Sequence, residues 1–265
     1  STEWLEETLA LLEEKRQLLL QGPPGTGKTF VARELARYLA GDPSRVVTVQ
    51  FHPGTSYEDF VQGLRPEATN PSRFSVVDGP LMRVSRMAAA HPDQNFVLLI
   101  DEINRGNVPA VFGELYYLLE YRDEHVTLLY GEDHALPGNL YFLGTMNTAD
   151  RSITALDSAL RRRFYVRDLA PTSELLRGIL RTYLTETAPN LIWLADLLDV
   201  ANAQLDDPDL AIGPSHFMGP QPTEARARRA WNHTVLPILR EYFHSNTSRV
   251  EAFDFDTLKT QLNLP

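Results

Sequence analysis

The chain has 265 residues, 43% of them hydrophobic and 23% charged, with no cysteine and a formal net charge of −10. That length accommodates one large and one smaller unit, and the missing cysteines exclude disulfides, thiol nucleophiles and thiolate zinc sites, in keeping with a reducing cytoplasm. No apolar run approaches the roughly 18 residues of a membrane span, and an acidic body binds nucleic-acid phosphates poorly unless its basic residues gather on one surface, so any DNA is read by another domain or subunit.

The chain opens on Ser1 without a basic and apolar leader, which predicts a trimmed or tagged fragment with residues missing before it. Its first half alternates short apolar runs with helical periods, the pattern of a parallel sheet covered by helices. Five strands are predicted, at residues 17–21, 46–51, 96–100, 141–144 and 164–167. Between the first two, Val31, Leu35 and Leu39 recur every four residues, and Gly41 and Pro43 stand where the helix should stop. After the third strand, Asn107 can cap a helix whose buried face is Val111, Phe112, Leu115 and Leu118 or Leu119. Residues 126–130 then alternate, 131–133 offer a turn, and 134–136 can return as a hairpin.

A change of style follows Pro171. Helical spacing links Leu175, Ile179 and Leu180; then Leu191, Leu194, Leu198 and Ala201; then Trp231, Val235 and Leu239, with an interruption at Pro237. The predicted organisation is an α/β domain over 1–169 and a helical domain over 170–265. Residues 213–222 read as a loop.

The motifs lie where strands meet helices. Gly22-Pro23-Pro24-Gly25-Thr26-Gly27-Lys28-Thr29 fits G-x-x-x-x-G-K-[ST], directly after an apolar strand and before an amphipathic helix. Its glycines let main-chain N–H groups turn inward around phosphate oxygens, and the helix N-terminus adds positive potential there. Lys28 would reach the β- and γ-phosphates, and the Thr29 hydroxyl would ligate Mg²⁺. The third strand ends in Asp101-Glu102, at the edge where open α/β sheets bind ligands. Neighbouring strand residues point apart, so Asp101 can hold the Mg²⁺ water shell while Glu102 faces an attacking water; the plain alternative is a solvated acidic turn. The fourth strand leads to Asn147, whose amide can bond the γ-phosphate or that water, the alternative being an ordinary turn residue. Arg161, Arg162 and Arg163 fan over roughly 200° of helix and cannot all serve one site. One or two, foremost Arg162 with Arg163, can reach a neighbouring subunit's phosphate as an arginine finger while another pairs with carboxylates of its own subunit; a solvated basic face is the alternative.

The order GPPGTGKTF (22–30), FHPGTSYEDFVQGLRP (51–66), LLIDEINRGNVPAVFGEL (98–115), GTMNTADRSI (144–153) and ALRRRF (159–164) resembles the McrB branch of the AAA+ proteins. The resemblance implies a five-stranded AAA+ domain with a C-terminal helical lid, assembled as a ring, usually a hexamer, with nucleotide at the subunit junctions. It implies GTP as fuel together with Mg²⁺, an McrC-type nuclease partner, and DNA bound through a domain or subunit outside this chain. Asn147 becomes the first sensor, Asp150 and Arg151 lie near the junction with a neighbour, and the hairpin at about 124–140 faces the ring's channel. The chain departs from the family at Ile212-Gly213-Pro214-Ser215-His216-Phe217, where something nearer IGHSYF is expected and no arginine is present. His216 stands there as the candidate second sensor, beside its plain reading as a loop residue. The competing function is an ATP-driven remodelling chaperone of the related MoxR or dynein-like branches; a nucleotide-binding scaffold without hydrolysis is the non-enzymatic alternative.

Overall fold

The computed structural model describes residues 2–149, 158–244 and 246–262. The chain divides into two compact units: residues 2–21 with 29–167 form one, built on a sheet, and residues 22–28 with 168–265 form the other, which is helical.

The chain begins with α1 (Thr2–Lys15), β1 (Gln17–Gly22), α2 (Lys28–Ala40), β2 (Val46–Gln50), α3 (Tyr57–Phe60), β3 (Gln62–Pro66), β4 (Phe74–Asp78) and α4 (Pro80–Ala90). It continues with β5 (Phe96–Asp101), α5 (Val108–Phe112), α6 (Leu115–Leu118), β6 (Val126–Thr127), β7 (Asp133–His134), β8 (Leu140–Asn147), α7 (Ser158–Arg163) and β9 (Tyr165–Asp168). The expected five-stranded parallel sheet is present, in the order β2-β5-β8-β1-β9. β5 and β8 are apolar and buried nearly throughout, as strands covered on both faces require. Their register sets Ile100 beside Gly144, so the carboxyl ends of the two strands lie side by side.

Helix packing corrects several expectations. The buried stripe of α2 is Ala32, Leu35, Ala36 and Ala40, because small side chains bring the helix close to its neighbours; Val31 and Leu39 are only half-buried. The stop at Gly41 is as expected: the residue takes a φ of 67° and its N–H donates to Arg37 O at 2.9 Å. Asn107 does cap the helix after β5, its Oδ1 accepting the Ala110 N–H at 3.4 Å. The expected single helix is broken into α5 and α6 around Gly113, yet Val111, Phe112, Leu115, Leu118 and Leu119 are all buried. Phe112 centres an aromatic cluster, with ring centroids 5.0 Å from Phe60, 6.2 Å from Phe142 and 6.5 Å from Phe51.

Two antiparallel hairpins add to the sheet unit. The one expected after residue 126 pairs only Val126 with His134 and Thr127 with Asp133. The other, β3 with β4, was not foreseen because Gly63 and Pro66 interrupt its alternation. Arg86 ties them together, donating to Asp78 at 2.5 Å and to Glu132 at 2.7 Å.

The helical unit contains α8 (Glu174–Arg177), α9 (Ile179–Thr187), α10 (Trp193–Ala203), α11 (Glu224–Ala230), α12 (Leu236–Phe243), α13 (Thr247–Glu251) and α14 (Phe255–Gln261). Its core gathers Leu180, Leu184, Leu194 and Leu198 around Trp231, whose indole N–H donates to Phe253 O at 2.8 Å and whose ring stacks on Phe217. Pro237 does not break the last run. The preceding turn, Trp231–Val235, widens into a π-helical form, so the proline enters α12 among its first residues, where no N–H is needed. Among the described residues no helix is long and apolar enough to cross a membrane.

Candidate active site

Residues 22–28 join β1 to α2, and within the helical unit their main chain is what positions them. The Ser215 N–H donates to Gly25 O at 2.9 Å. A Cβ built on Gly213 would stand 2.0 Å from Gly25 C and 2.5 Å from Thr26 N, so the two chain segments approach this closely only because residue 213 has no side chain. Gly25 itself takes a φ of 77°, and a Cβ there would meet His216 Nε2 at 2.3 Å. The His216 ring therefore lies against the loop. Burial holds its pKa below the ordinary imidazole value, against the opposing pull of a hydrogen bond to the Pro24 main chain.

The loop also braces itself. Thr26 is buried and its hydroxyl donates to Pro23 O at 3.1 Å. The Lys28 ammonium folds back to donate to Gly22 O at 2.9 Å and Pro23 O at 2.8 Å. Gly27, at a φ of 83°, has open space where a side chain would be. The Lys28 ammonium thus lies against a turn of glycine-rich main chain, a residue set that suits a phosphate chain.

In the sheet unit the chemistry-bearing groups are side chains at the carboxyl ends of β5 and β8. Asp101 Oδ1 accepts two hydroxyls, from Thr29 at 2.8 Å and from Thr145 at 2.5 Å. A hydroxyl and a carboxylate in mutual contact are hard oxygen donors of the kind Mg²⁺ takes while keeping most of its waters, so these residues fit that ion. Glu102 adopts a left-handed conformation, φ 56° and ψ 43°, at a cost of about 1 kcal/mol for a residue with a side chain. Its N–H donates to the Thr145 hydroxyl at 3.1 Å, and its carboxylate accepts from Arg105 Nε at 2.8 Å. Asn147 turns its Oδ1 back to accept the Ala149 N–H at 3.2 Å, while its main-chain oxygen accepts from Asn104 Nδ2 at 3.4 Å. Asn104 Oδ1 and Thr148 Oγ1 are buried beside it without a hydrogen-bond partner among the described residues, leaving polar capacity there.

The structure therefore joins Thr29 to Asp101 directly, and Asp101 to the Glu102 main chain through Thr145, a residue not anticipated from sequence. The signal existed: Thr145 lies two residues before Asn147 on one strand and so shares its face. Arg105, three residues beyond Glu102, was likewise missed. The three arginines of α7 separate as their fan requires. Arg163 is buried over the Tyr116 ring, donating to Tyr116 O at 2.9 Å and pairing with Glu120 at 3.1 Å. Arg162 is exposed and pairs with the same carboxylate at 2.9 Å. Asp150 and Arg151 lie outside the described residues.

The family model for the AAA domain (dynein-related subfamily) matches residues 17–164, and that for the McrB alpha-helical lid domain matches residues 193–251. The chain is 37% identical, over 90% of its length, to the Type IV methyl-directed restriction enzyme EcoKMcrB subunit of Escherichia coli. It is 28% identical, over 56% of its length, to the Type II restriction enzyme BsuMI component YdiS of Bacillus subtilis. It spans 56% and 55% of the lengths of those two relatives.

Proposed function

Because the chain belongs to the dynein-related subfamily of AAA domains and to its McrB branch, we propose that it is the GTP-hydrolysing motor of a restriction complex. In this reading it works as a ring, a hexamer, with nucleotide at the subunit junctions, and drives DNA translocation for an McrC-type nuclease. Both named relatives are components of restriction enzymes. The net charge of −10 supports DNA being gripped by a domain or subunit outside this chain.

The observation that carries the hydrolase reading is the 2.8 Å contact of Thr29 with Asp101, which joins the last residue of the phosphate-loop motif to the first of the acidic pair. The N–H groups of residues 22–28 and Lys28 bind the phosphates, and Thr29 with Asp101 hold Mg²⁺. The ion supplies neutralisation of phosphate charge. Glu102 orients water and takes its proton, and Asn147 positions the same water. Arg162, the exposed member of its cluster, answers charge on a neighbour's γ-phosphate, while Arg163 anchors α7 inside its own subunit.

Equilibrium competition tests this directly. In Mg²⁺, unlabelled GTP is expected to displace a fluorescent guanine nucleotide from the purified chain at lower concentration than ATP does. ATP binding as tightly as GTP would favour the remodelling-chaperone reading, and binding of neither would end the nucleotide reading altogether.

A further inference from the structure

Thr145 belongs to neither the glycine-rich loop nor the acidic pair, yet its hydroxyl bonds both members of that pair, Asp101 through its carboxylate and Glu102 through its main-chain N–H. It is 2% exposed, at the point of β8 that follows the Ile100 and Gly144 pairing, so its side chain lies beside Asp101. A threonine hydroxyl has one hydrogen and two lone pairs, and both capacities are used here in a fixed direction. The hydrogen goes to Asp101 Oδ1 at 2.5 Å, since a carboxylate can only accept. A lone pair takes the Glu102 N–H at 3.1 Å, since an amide can only donate. Thr29 spends its own hydrogen on the same Oδ1 at 2.8 Å. One oxygen of Asp101 is thereby engaged by two hydroxyls, which fixes the plane of the carboxylate and directs Oδ2 away from them.

The second bond matters for a different reason. Glu102 sits at φ 56°, a conformation that residues with a Cβ adopt only when their surroundings impose it. The Thr145 oxygen is the group that receives its N–H, so it pins the strained peptide from which the Glu102 side chain departs.

We propose that Thr145 is the positioning residue of the hydrolytic centre: its single hydroxyl sets the direction of the metal-binding carboxylate and of the water-orienting carboxylate together. The inference rests on the nucleotide-hydrolase reading above and deepens it. A residue that only filled space would be replaced without loss by valine, which has the same shape and lacks the hydroxyl. A residue that directs both carboxylates would not.

The experiment compares Thr145→Val, Thr145→Ala and Thr145→Ser with the parent chain. Binding of a fluorescent guanine nucleotide is measured in EDTA and in Mg²⁺, and turnover is resolved into kcat and KM. In EDTA all four proteins are expected to bind alike. The tightening that Mg²⁺ produces should shrink in the valine and alanine variants and return with serine, the loss of a hydrogen bond to a charged group amounting to about tenfold or more. The same two variants should also lose kcat, with KM rising only as far as the weakened Mg²⁺-dependent binding requires. The alanine variant carries the test if the valine variant fails to fold, circular dichroism showing which folds. Valine or alanine matching the parent in both Mg²⁺ response and kcat would overturn the inference while leaving the hydrolase reading intact; a parent chain that shows no Mg²⁺-dependent nucleotide binding would instead overturn that reading.

Discussion

The two units fix their polar groups by different means. In the sheet unit, side chains meet side chains: Asp101 accepts from Thr29 and Thr145, and Glu102 pairs with Arg105. In the helical unit, main chain meets main chain, Ser215 bonding Gly25 and Gly213 abutting Gly25 and Thr26 with no room for a methyl group. The difference separates two duties. On the proposed function, groups that change partners during hydrolysis are carried on side chains, whereas the loop that presents its own N–H groups is held largely through the backbone. On that same reading, substitutions at Glu102 and Arg162 should then change rate at nearly constant affinity, and substitutions under the loop should do the reverse.

The largest effect is expected at Arg162. Its guanidinium is exposed and, among the described residues, pairs with Glu120, an ion pair worth little at the surface. If it serves a neighbour, Arg162→Ala binds nucleotide normally and loses about 10³-fold in turnover, the scale of a missing arginine finger. Turnover per subunit should rise with protein concentration, and mixing with Lys28→Ala should restore activity, because an intact site on one chain can meet an intact finger on the other. A dead mixture in rings shown to be mixed would place the arginine's action within its own subunit.

Glu102→Gln comes next. The amide keeps the shape and can still bond within the turn, but it cannot accept a proton, so turnover should fall by about 10²-fold while binding is kept. Weak binding with normal turnover per bound nucleotide would break the comparison, because it would give a sheet-unit side chain the duty assigned to the loop.

The opposite sign is expected at Gly213. A methyl group in Gly213→Ala meets backbone, not the end of a flexible side chain, so the loop must move. Overpacking of this kind costs about 1–3 kcal/mol, and nucleotide affinity should drop by about tenfold. Turnover per bound nucleotide should be unchanged. Isothermal titration alongside a saturated rate measurement separates the two quantities.

Why some of this was legible and some not follows from the range of each determinant. The glycine-rich turn, the strand-end acidic pair and Asn147 stand out as motifs because strand, turn and helix follow one another within a few residues. Thr145 and Arg105 act on groups brought near by the register of β5 with β8 and by the turn after Glu102, and neither register nor turn conformation is written in a motif. The same holds for the arginines: their fan was predictable, but which one is buried depends on Tyr116 and Glu120, more than 40 residues earlier in the chain. In the helical unit the buried faces around Leu194 and Trp231 were readable from spacing. The π-helical turn before Pro237 was not, since it depends on how the helices there pack together.

The smallest effect distinguishes the units by pH. His134 in the sheet unit and His216 in the helical unit both have pKa values held below the ordinary imidazole value, in each case chiefly by burial. His134 is additionally bonded to Ser85 at 2.9 Å and lies among Asp78, Glu132, Arg86 and His125, whose charges pull in both directions. His216 has the Pro24 main chain as its partner and lies against Gly25. A depressed imidazole pKa means that, below pH about 6.5, the unfolded chain takes up a proton the folded chain resists. Stability that each neutral ring contributes is therefore fully present above that pH and is lost as pH falls toward the folded pKa. Thermal melting at stepped pH should show a decline on acidification that is reduced in both His134→Gln and His216→Gln. Only the second should also flatten the pH dependence of nucleotide affinity, because only that ring rests on the phosphate loop. If His134→Gln flattened it equally, the loop would be responding to the sheet unit's charges, and the division of duties between side chain and backbone would not hold.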